Sequence, residues 1–274
     1  MTPAVARADG YGDCMTATGS PTPSNTSIIT EDMRQQYRDE GYFILERVVP
    51  EDHLELLRSV ADFAVEKTDA QMDELGVDQI GINHRGKRYF SNMIYKDKPE
   101  LRQFLFSELM ADICRATLGD EAYMFWEQYV IKAGDPDTTF SWHQDSGYVH
   151  EHHEPYLTCW IALDDVTEEN GSVYLLPYSR SGIKSYIKHI EDPRMADKVC
   201  YFGSDKGVPV IVPAGSIAVF SSVVIHSSGA NHTDKLRRVY LAQYSGEVIK
   251  QHNSTEPWGS FEQFLHDGHI VATP

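Results

Sequence analysis

The alternation of apolar and polar residues divides the chain into a helical first part and a strand-rich second part. Residues 1–28 mix Pro, Gly, Ser, Thr and Ala without apolar periodicity, which predicts a flexible tail because such a segment cannot offset the entropy of ordering itself. A short helix is predicted from Thr30, as N-cap, to Gly41, and the alternating run YFILERVV after it predicts a strand. Pro50 then opens a longer helix with apolar residues every three or four positions.

The helical part is predicted to extend over about residues 30–118. It includes the segment LRQFLFSELMADICRATLG, whose helix is expected to stop at Gly119. Short apolar or alternating runs follow, separated by Gly, Pro, Asp and Asn clusters: AYMFWEQYVIKA, YLTCWIALDDV, SVYLLP, VPVIVP, SIAVFSSVVI and RRVYLAQYSG. Strands at this spacing predict a sandwich or small barrel of two packed sheets, with the helices covering one face.

The composition is that of one globular domain with an excess of acid. With 274 residues, 41% of them apolar, a single catalytic domain is expected over residues 29–274, with its barrel core at about 120–248. The formal charge of -17 argues against nucleic acid and membranes as partners. The four cysteines show no metal-binding spacing, and no run approaches the roughly 18–20 apolar residues of a membrane span. In the absence of a secretion signal, a cytoplasmic protein with reduced thiols is expected.

The segment SWHQDSGYVH contains a candidate metal-binding pair, His143 and Asp145. In extended backbone, residues i and i+2 project to the same face, so the imidazole and the carboxylate can converge on one metal ion while Gln144 points away. A single H-x-D pair arises readily by chance, and the chain holds a second copy at His232 and Asp234. The surrounding residues must therefore decide which pair, if either, binds a metal.

A third candidate ligand, His226, follows His143 by 83 residues, at the end of an apolar run and shortly before the strand RRVYLAQYSG. Iron oxygenases with two histidines and one carboxylate leave coordination positions open for a bidentate 2-oxo acid and O2. They also need an arginine, because the far carboxylate of the co-substrate would otherwise be buried unpaired. Arg237 and Arg238 both lie on the following strand, and strand alternation sends them to opposite faces.

The sequence resembles the phytanoyl-CoA dioxygenase-like group of 2-oxoglutarate oxygenases over roughly residues 30–248. The resemblance rests on EGYFILERVVP, WHQD, NGSVYLLPYSR and HSSGANHTDKLRR. The third segment is similar to the family's NG...PGSHR, with Tyr178 where Gly is usual, and the last matches the family's H-x-S-x-x-N-x-[ST]-x-x-x-R. The resemblance implies a mainly β protein, a double-stranded β-helix (jelly-roll, cupin-like), with N-terminal helices packed on one sheet and iron inside its open end.

The same resemblance assigns Fe(II) to three ligands, His143, Asp145 and His226, with 2-oxoglutarate as co-substrate and O2 as oxidant. Relatives that chlorinate replace the carboxylate with a small residue so that halide can bind iron, so Asp145 indicates oxygenation. The expected activity is that of a dioxygenase that oxidises a C–H bond of a small-molecule substrate by hydroxylation, desaturation or oxidative cyclisation. The oligomeric state is not indicated.

The co-substrate contacts are also implied by the resemblance. Arg237, eleven residues after His226, is favoured over Arg238 as the partner of the far carboxylate, with Ser228 hydrogen-bonding nearby. Three further residues are implied to contact 2-oxoglutarate or line its pocket, with packing or sheet-forming roles as the alternative: Gln128, Thr158 and Trp160.

Two other segments are rich in side chains that could bind a metal ion or contact a substrate. The histidines His150, His152 and His153 suit either a second metal site or a solvated loop at the pocket mouth. The segment INHRGKRYF, with His84, Arg85, Lys87 and Arg88, is the densest positive cluster and suits either substrate contact or a solvated loop. The acidic balance favours a small polar substrate, such as an amino-sugar-like natural-product intermediate.

Two other function classes fit parts of the pattern. A cupin-type metalloenzyme that does not use 2-oxoglutarate would not need Arg237. A non-catalytic binding member of the fold would not retain iron, which the intact set of candidate ligands argues against.

Overall fold

The computed structural model describes residues 27–149, 152–192 and 197–273, so nearly all of the predicted tail lies outside the described residues. The helices are α1 (Glu31–Glu40), α2 (Glu51–Leu75), α3 (Arg102–Leu105), α4 (Glu108–Thr117) and α5 (Tyr178–Ser181), with short 3-10 turns at Ile94–Lys96, Pro99–Leu101 and Asp145–Tyr148. The strands are β1 (Tyr42–Leu45), β2 (Gln79–Ile80), β3 (Asn83–His84), β4 (Arg88–Asn92), β5 (Ala122–Lys132), β6 (Phe140–His143), β7 (Leu157–Ala162), β8 (Val173–Leu176), β9 (Ile190–Asp192), β10 (Asp197–Val199), β11 (Val208–Pro209), β12 (Ile217–Ser221), β13 (Ile225–Ser228), β14 (Arg237–Ser245), β15 (Glu262–His266) and β16 (His269–Ile270).

Helix α1 begins and ends at the predicted residues. The Thr30 side chain accepts a hydrogen bond from the Met33 N–H, which satisfies one of the free donors of the first turn. Gly41 ends the helix with a φ of +83°, a conformation that glycine adopts without strain. A Cβ atom at this position would also come within 2.5 Å of the side chains of Tyr178 and Val224. The close packing of these two side chains against the end of α1 therefore requires glycine.

The helical part of the chain contains strands that its pattern did not predict. Strand β4 pairs antiparallel with β5, and β3 and β2 continue the same sheet. The segment predicted as one helix up to Gly119 is broken into α3 and α4, because the Ser107 side chain accepts a hydrogen bond from the Met110 N–H and caps a new helix. Helix α4 then ends at Thr117.

Two antiparallel sheets form the jelly roll, which confirms the predicted fold class. The large sheet has the order β1-β12-β7-β14-β5-β4-β3-β2, with β15 and β16 added beside β5, and the small sheet has the order β11-β8-β13-β6. Strands β1 to β4, β15 and β16 of this sheet lie outside the predicted barrel core of about 120–248. The run SIAVFSSVVI, predicted as one strand, splits into β12 in the large sheet and β13 in the small sheet, with a turn at residues 222–224.

Side-chain alternation along the large sheet separates a helix-covered face from a cavity-lining face. On β14, Tyr240 and Tyr244 pack into the core that the sheet shares with the helices. Arg237, Leu241 and Gln243 point to the other side and line a cavity between the two sheets. The cavity-lining side chains of β14 therefore lie on the inner face of the large sheet, opposite the small one.

A carboxylic acid, Glu127, is fully buried on the helix-covered face of β5. Its Oε1 accepts a hydrogen bond from the Tyr95 N–H at 2.8 Å, and among the described residues its Oε2 has no hydrogen-bond partner. Burial raises the pKa of Glu127 to about 7, because the charged form loses its hydration. The folded state therefore keeps this proton to a higher pH than the unfolded chain does.

Glu127→Gln is expected to remove a pH-dependent loss of stability. The folded-state pKa of Glu127, about 7, lies above the ordinary value of 4.5. The stabilisation of the folded state by the protonated side chain is therefore fully present below pH 4.5 and is lost as the pH rises through 7. Over this range the wild type should lose about 1–3 kcal/mol of unfolding free energy relative to the variant. Urea unfolding of both proteins at pH 5, 6, 7 and 8 measures this, and a difference independent of pH would contradict it.

Candidate active site

Two strands of the small sheet bring His143 and His226 together. The two residues are direct cross-strand partners on β6 and β13, and their ring centroids are 4.2 Å apart. Asp145 lies just past β6, with its Oδ1 at 3.4 Å from Nε2 of His226 and 3.9 Å from Nε2 of His143. One donor atom from each residue lies within 4.8 Å of the others. Gln144 points away and donates a hydrogen bond to the buried carbonyl of Val223.

Both imidazole rings are held in the orientation that a metal ligand requires. Nδ1 of His143 lies 2.7 Å from the Ser141 carbonyl, and Nδ1 of His226 lies 3.0 Å from the Val224 carbonyl. Because a carbonyl can only accept, each ring carries a proton on Nδ1, which leaves Nε2, facing the carboxylate, as the atom that would bind the metal. Such backbone contacts fix the tautomer of metal-binding histidines.

Electrostatics keep the carboxylate of this cluster ionised. Burial acts to raise the pKa of Asp145, but His226, His143 and a hydrogen bond from Thr158 outweigh it and hold the pKa at about 2. Burial, together with His226, lowers the pKa of His143. Burial also acts to lower the pKa of His226, but Asp145 outweighs it, so the net pKa is raised and metal binding would displace a proton there.

A cavity of about 320 Å³ between the sheets contains these donor atoms and, in another part of its lining, Arg237. Arg237 is 1% exposed, and no described residue accepts a hydrogen bond from its Nε or Nη1. Burial lowers its pKa to about 10, which leaves the guanidinium charged at neutral pH. The guanidinium carbon lies 5.9 Å from the ring of Trp160. A buried cation with unpaired N–H groups needs an anionic partner, which a bound carboxylate would provide.

Arg238 lies on the opposite face of β14 and already has carboxylate partners. Its Nη2 lies 2.8 Å from Oδ1 of Asp164, and its Nη1 lies 3.4 Å from Oδ1 of Asp62. Strand alternation thus leaves Arg237 as the arginine of the cavity, which is the one that the spacing from His226 favours.

A lysine that the sequence pattern did not single out lies beside Arg237. Lys132 is its register partner on β5, is fully buried, and donates hydrogen bonds to Oγ of Ser228 at 2.7 Å and to the Gly229 carbonyl at 2.8 Å. Burial, and then the nearby Arg237, hold the pKa of Lys132 well below its ordinary value. Lysine is almost never fully buried without a partner, and here the partners come from residues about a hundred positions away in the sequence.

The two polar residues predicted near the co-substrate line the cavity but have protein partners. Gln128 donates to Oδ1 of Asn92 at 2.5 Å. Oγ1 of Thr158 donates to Oδ2 of Asp145 at 2.6 Å, and Nε2 of Gln243 donates to the same oxygen at 3.1 Å. Thr158 therefore lies in the cavity lining as predicted, with its hydroxyl proton directed to Asp145, and its contact with the co-substrate stays a prediction.

One part of the cavity is aromatic. The register between β14 and β5 shifts between Gln243 and Tyr244, which pair with Trp126 and Met124, so Phe125 is an extra residue on β5. Both Phe125 and Trp126 line the cavity as a result, a re-aiming of side chains that β-bulges commonly produce near functional sites. Three more residues complete this aromatic and apolar patch: Val149, Tyr156 and Trp258.

The positive segment INHRGKRYF is mostly paired with acidic residues. Arg85 contacts a set of carboxylates on α2 and the following turn, namely Asp69, Asp73 and Asp78. Lys87 lies 2.7 Å from Asp135, and the half-buried Arg88 donates to the Ile82 carbonyl. The cavity residues from this part of the chain are Ile82 and Phe90, which are apolar.

Of the remaining histidine candidates, His152 and His153 do not join the cluster around Asp145. His150 lies outside the described residues, His152 is exposed, and Nε2 of His153 lies 3.0 Å from Oγ of Ser146. The second H-x-D copy is also exposed at both of its members, His232 and Asp234.

Comparison with known proteins shows the family to which the chain belongs. Residues 37–239 match the phytanoyl-CoA dioxygenase (PhyH) family. The protein belongs to this family. A probable phytanoyl-CoA dioxygenase of Caenorhabditis elegans is 21% identical over 251 residues, which cover 84% of this chain and 80% of that protein.

Two solved structures share the fold. The non-haem α-ketoglutarate-dependent carbocyclase SnoK from nogalamycin biosynthesis aligns with a TM-score of 0.64 and 18% identity, covering 89% of this chain and 97% of its own. EvdO2 from Micromonospora carbonacea var. aurantiaca, complexed with 2-oxoglutarate, aligns with a TM-score of 0.63 and 23% identity, covering 84% and 94%.

The family and the cluster of metal-binding groups together define the enzyme class. The protein is a non-haem iron dioxygenase that uses 2-oxoglutarate. Within the described ranges, no helix is long and apolar enough to cross a membrane.

Proposed function

We propose that this dioxygenase oxidises a C–H bond of a small-molecule natural product, with Fe(II) on His143, Asp145 and His226 and the far carboxylate of 2-oxoglutarate on Arg237. One observation carries the proposal: a single cavity contains both three converging metal-binding atoms and a buried arginine with unpaired N–H groups. The first feature suits the metal, and the second suits the co-substrate.

The residues fit both groups chemically. Two imidazoles and one carboxylate are the donor set of iron oxygenases, and three protein ligands leave room for a chelating 2-oxo acid. Bound iron and 2-oxoglutarate supply the activation of O2 that C–H oxidation requires. The unpaired Nε and Nη1 of Arg237 need acceptors, and a carboxylate is the anion that a guanidinium can grip bidentately.

The protein residues supply position and a dry environment. Arg237 anchors one end of the co-substrate, with Ser228 held beside it by Lys132. The apolar walls exclude water, which strengthens the electrostatic contacts inside the cavity. Hydroxylation, desaturation and oxidative cyclisation differ in which C–H bond is held near the iron, so substrate position decides between them.

The cavity lining favours a substrate with an apolar or planar face, whereas the acidic composition favoured a polar one. Besides Asp145, the carboxylate in the lining is Asp197, which already accepts hydrogen bonds from the Ser141 N–H at 2.7 Å and the Tyr148 hydroxyl at 2.9 Å. Phe125 and the other members of the aromatic patch offer rings instead of free charges. The net charge of the chain therefore does not describe the pocket.

The size of the cavity indicates where most of the substrate lies. A volume of about 320 Å³ is near the lower end of the roughly 300–1,000 Å³ found for ligand pockets, and part of it is needed for 2-oxoglutarate. The cavity then holds the reacting end of the substrate. Trp126 and Trp258 line the cavity while remaining partly exposed, so they mark its open side and are placed to contact the rest of the molecule.

A substrate panel tests the proposal. Consumption of 2-oxoglutarate by the iron-loaded enzyme should be stimulated by polycyclic aromatic natural products and not by glucosamine or an acyl-CoA thioester. Trp126→Ala should raise the KM for a stimulating compound by about tenfold through the lost aromatic contact, and leave the KM for the co-substrate unchanged. Stimulation by glucosamine alone would reject the apolar substrate, and stimulation by the thioester alone would reject the natural-product assignment.

Family membership and the unpaired Arg237 favour this function over the two alternative classes. A cupin-type enzyme without 2-oxoglutarate gives no reason for a buried guanidinium that lacks partners in the described part of the protein. A non-catalytic member gives no reason for the fixed tautomers of His143 and His226.

A further inference from the structure

We propose that Gln243 is a positioning residue that, together with Thr158, restricts Asp145 to binding iron through one oxygen atom. The inference rests on the proposed role of Asp145 as an iron ligand. It concerns Oδ2 of Asp145, the carboxylate oxygen that is held by Thr158 and Gln243.

The two oxygens of Asp145 have different surroundings. Oδ1 faces the metal-binding nitrogens of His226 and His143, at 3.4 and 3.9 Å. Oδ2 accepts a hydrogen bond from Oγ1 of Thr158 at 2.6 Å and another from Nε2 of Gln243 at 3.1 Å. The short contact from the hydroxyl is typical of a donor to an ionised carboxylate. One oxygen is therefore available to a metal ion, and the other is held by the protein.

The sheet register creates this arrangement. Gln243 on β14 and Thr158 on β7 are direct cross-strand partners, and both side chains lie on the cavity face and are buried. Nε2 of Gln243 also lies 3.0 Å from Oγ1 of Thr158. Because the two acceptor oxygens are only 2.6 Å apart, one N–H of Gln243 is shared between Oδ2 of Asp145 and Oγ1 of Thr158, while the threonine proton goes to Asp145. The three groups form one hydrogen-bonded set around Oδ2 of Asp145.

This set has a consequence for the metal site. If both oxygens of Asp145 bound the ion, Oδ2 would lose two hydrogen bonds inside a low-dielectric cavity, where such losses are most costly. A second bound oxygen would also occupy a position that the chelating co-substrate or O2 requires. Gln243 thus acts on the iron through Asp145 and does not need to touch the metal or the substrate.

Titration of the metal-free, full-length protein with Co(II) under anaerobic conditions tests the proposal. The visible d–d bands of Co(II) report both affinity and coordination number. Gln243→Leu and Thr158→Val should each weaken Co(II) binding by about 10- to 100-fold, the usual effect of losing a partner of a metal ligand. Each should also change the band intensity, because Oδ2 is released to the metal. Thr158→Ser, which restores the hydroxyl, should recover the wild-type spectrum and most of the affinity.

Thr68→Val is the matched control, since Thr68 is a buried threonine on α2 whose hydroxyl bonds the Ala64 carbonyl, away from the site. Wild-type Co(II) affinity and spectrum in both site variants would overturn the proposal, as would an equal loss in Thr68→Val. Wild-type affinity in Asp145→Ala would instead overturn the ligand assignment. Circular dichroism verifies folding, and Gln243→Met replaces Gln243→Leu if the latter does not fold.

Discussion

Asp145→Ala is expected to abolish 2-oxoglutarate consumption. The substitution removes the anionic ligand and leaves the cation with two neutral imidazoles in a buried site. The loss of one partner of a buried charge pair costs about 3–5 kcal/mol, which corresponds to a roughly hundred- to several-thousandfold weaker metal affinity. Iron content after anaerobic gel filtration and succinate formation measure the two effects.

The chain supplies a matched control for this substitution. Asp234 belongs to the second H-x-D copy and is exposed, so Asp234→Ala should retain iron and turnover. Equal losses in the two variants would show that the effect does not arise from the cluster of His143, Asp145 and His226.

Arg237→Ala is expected to weaken 2-oxoglutarate binding by about 2–5 kcal/mol, because the far carboxylate would be buried without its charge partner. The dissociation constant should therefore rise roughly thirty- to several-thousandfold. Anaerobic titration of the iron-loaded protein with 2-oxoglutarate gives this constant directly.

Arg238→Ala serves as the comparison, since the neighbouring arginine carries the same charge on the opposite face of β14. It should leave 2-oxoglutarate affinity unchanged and lower only stability, through the loss of the contact with Asp164. If Arg237→Ala bound the co-substrate normally and Arg238→Ala did not, the carboxylate partner would be Arg238.

Features encoded over a few residues were predictable from the sequence. The cap at Thr30 and the stop at Gly41 depend on groups within one helical turn, and the structure confirms both. The spacing of His143 and Asp145 indicates convergence for a similar reason, because the extended conformation of Gln144 places both neighbours on one side.

Features that depend on long-range pairing were not predictable. The run SIAVFSSVVI contains no Gly or Pro that would mark a break, yet β12 pairs with strands of the large sheet and β13, which begins at its last residue, with strands of the small one. Strand β4 forms by hydrogen-bonding to β5, and β3 and β2 extend the sheet from it. The local sequence of β2 to β4 does not indicate this pairing. Gln243 and Lys132 gain their partners only through register, so no local motif marks either residue.

The net charge of the chain does not describe the lining of the cavity. Acidic residues of the described surface form ion pairs such as those of Arg85, whereas the cavity lining combines aromatic rings with Arg237, Asp197 and the candidate iron ligands. A pocket is lined by a small fraction of the residues, and their identity follows from strand alternation and from the bulge at Phe125.

The most direct measurement is the absorption spectrum of the wild-type protein after anaerobic addition of Fe(II) and then 2-oxoglutarate. Chelation by the 2-oxo acid should give a weak visible charge-transfer band that succinate, which lacks the oxo group, does not produce. The band should persist in Asp234→Ala and disappear in Asp145→Ala. A wild-type spectrum that stays unchanged when 2-oxoglutarate is added would contradict the shared iron and co-substrate site.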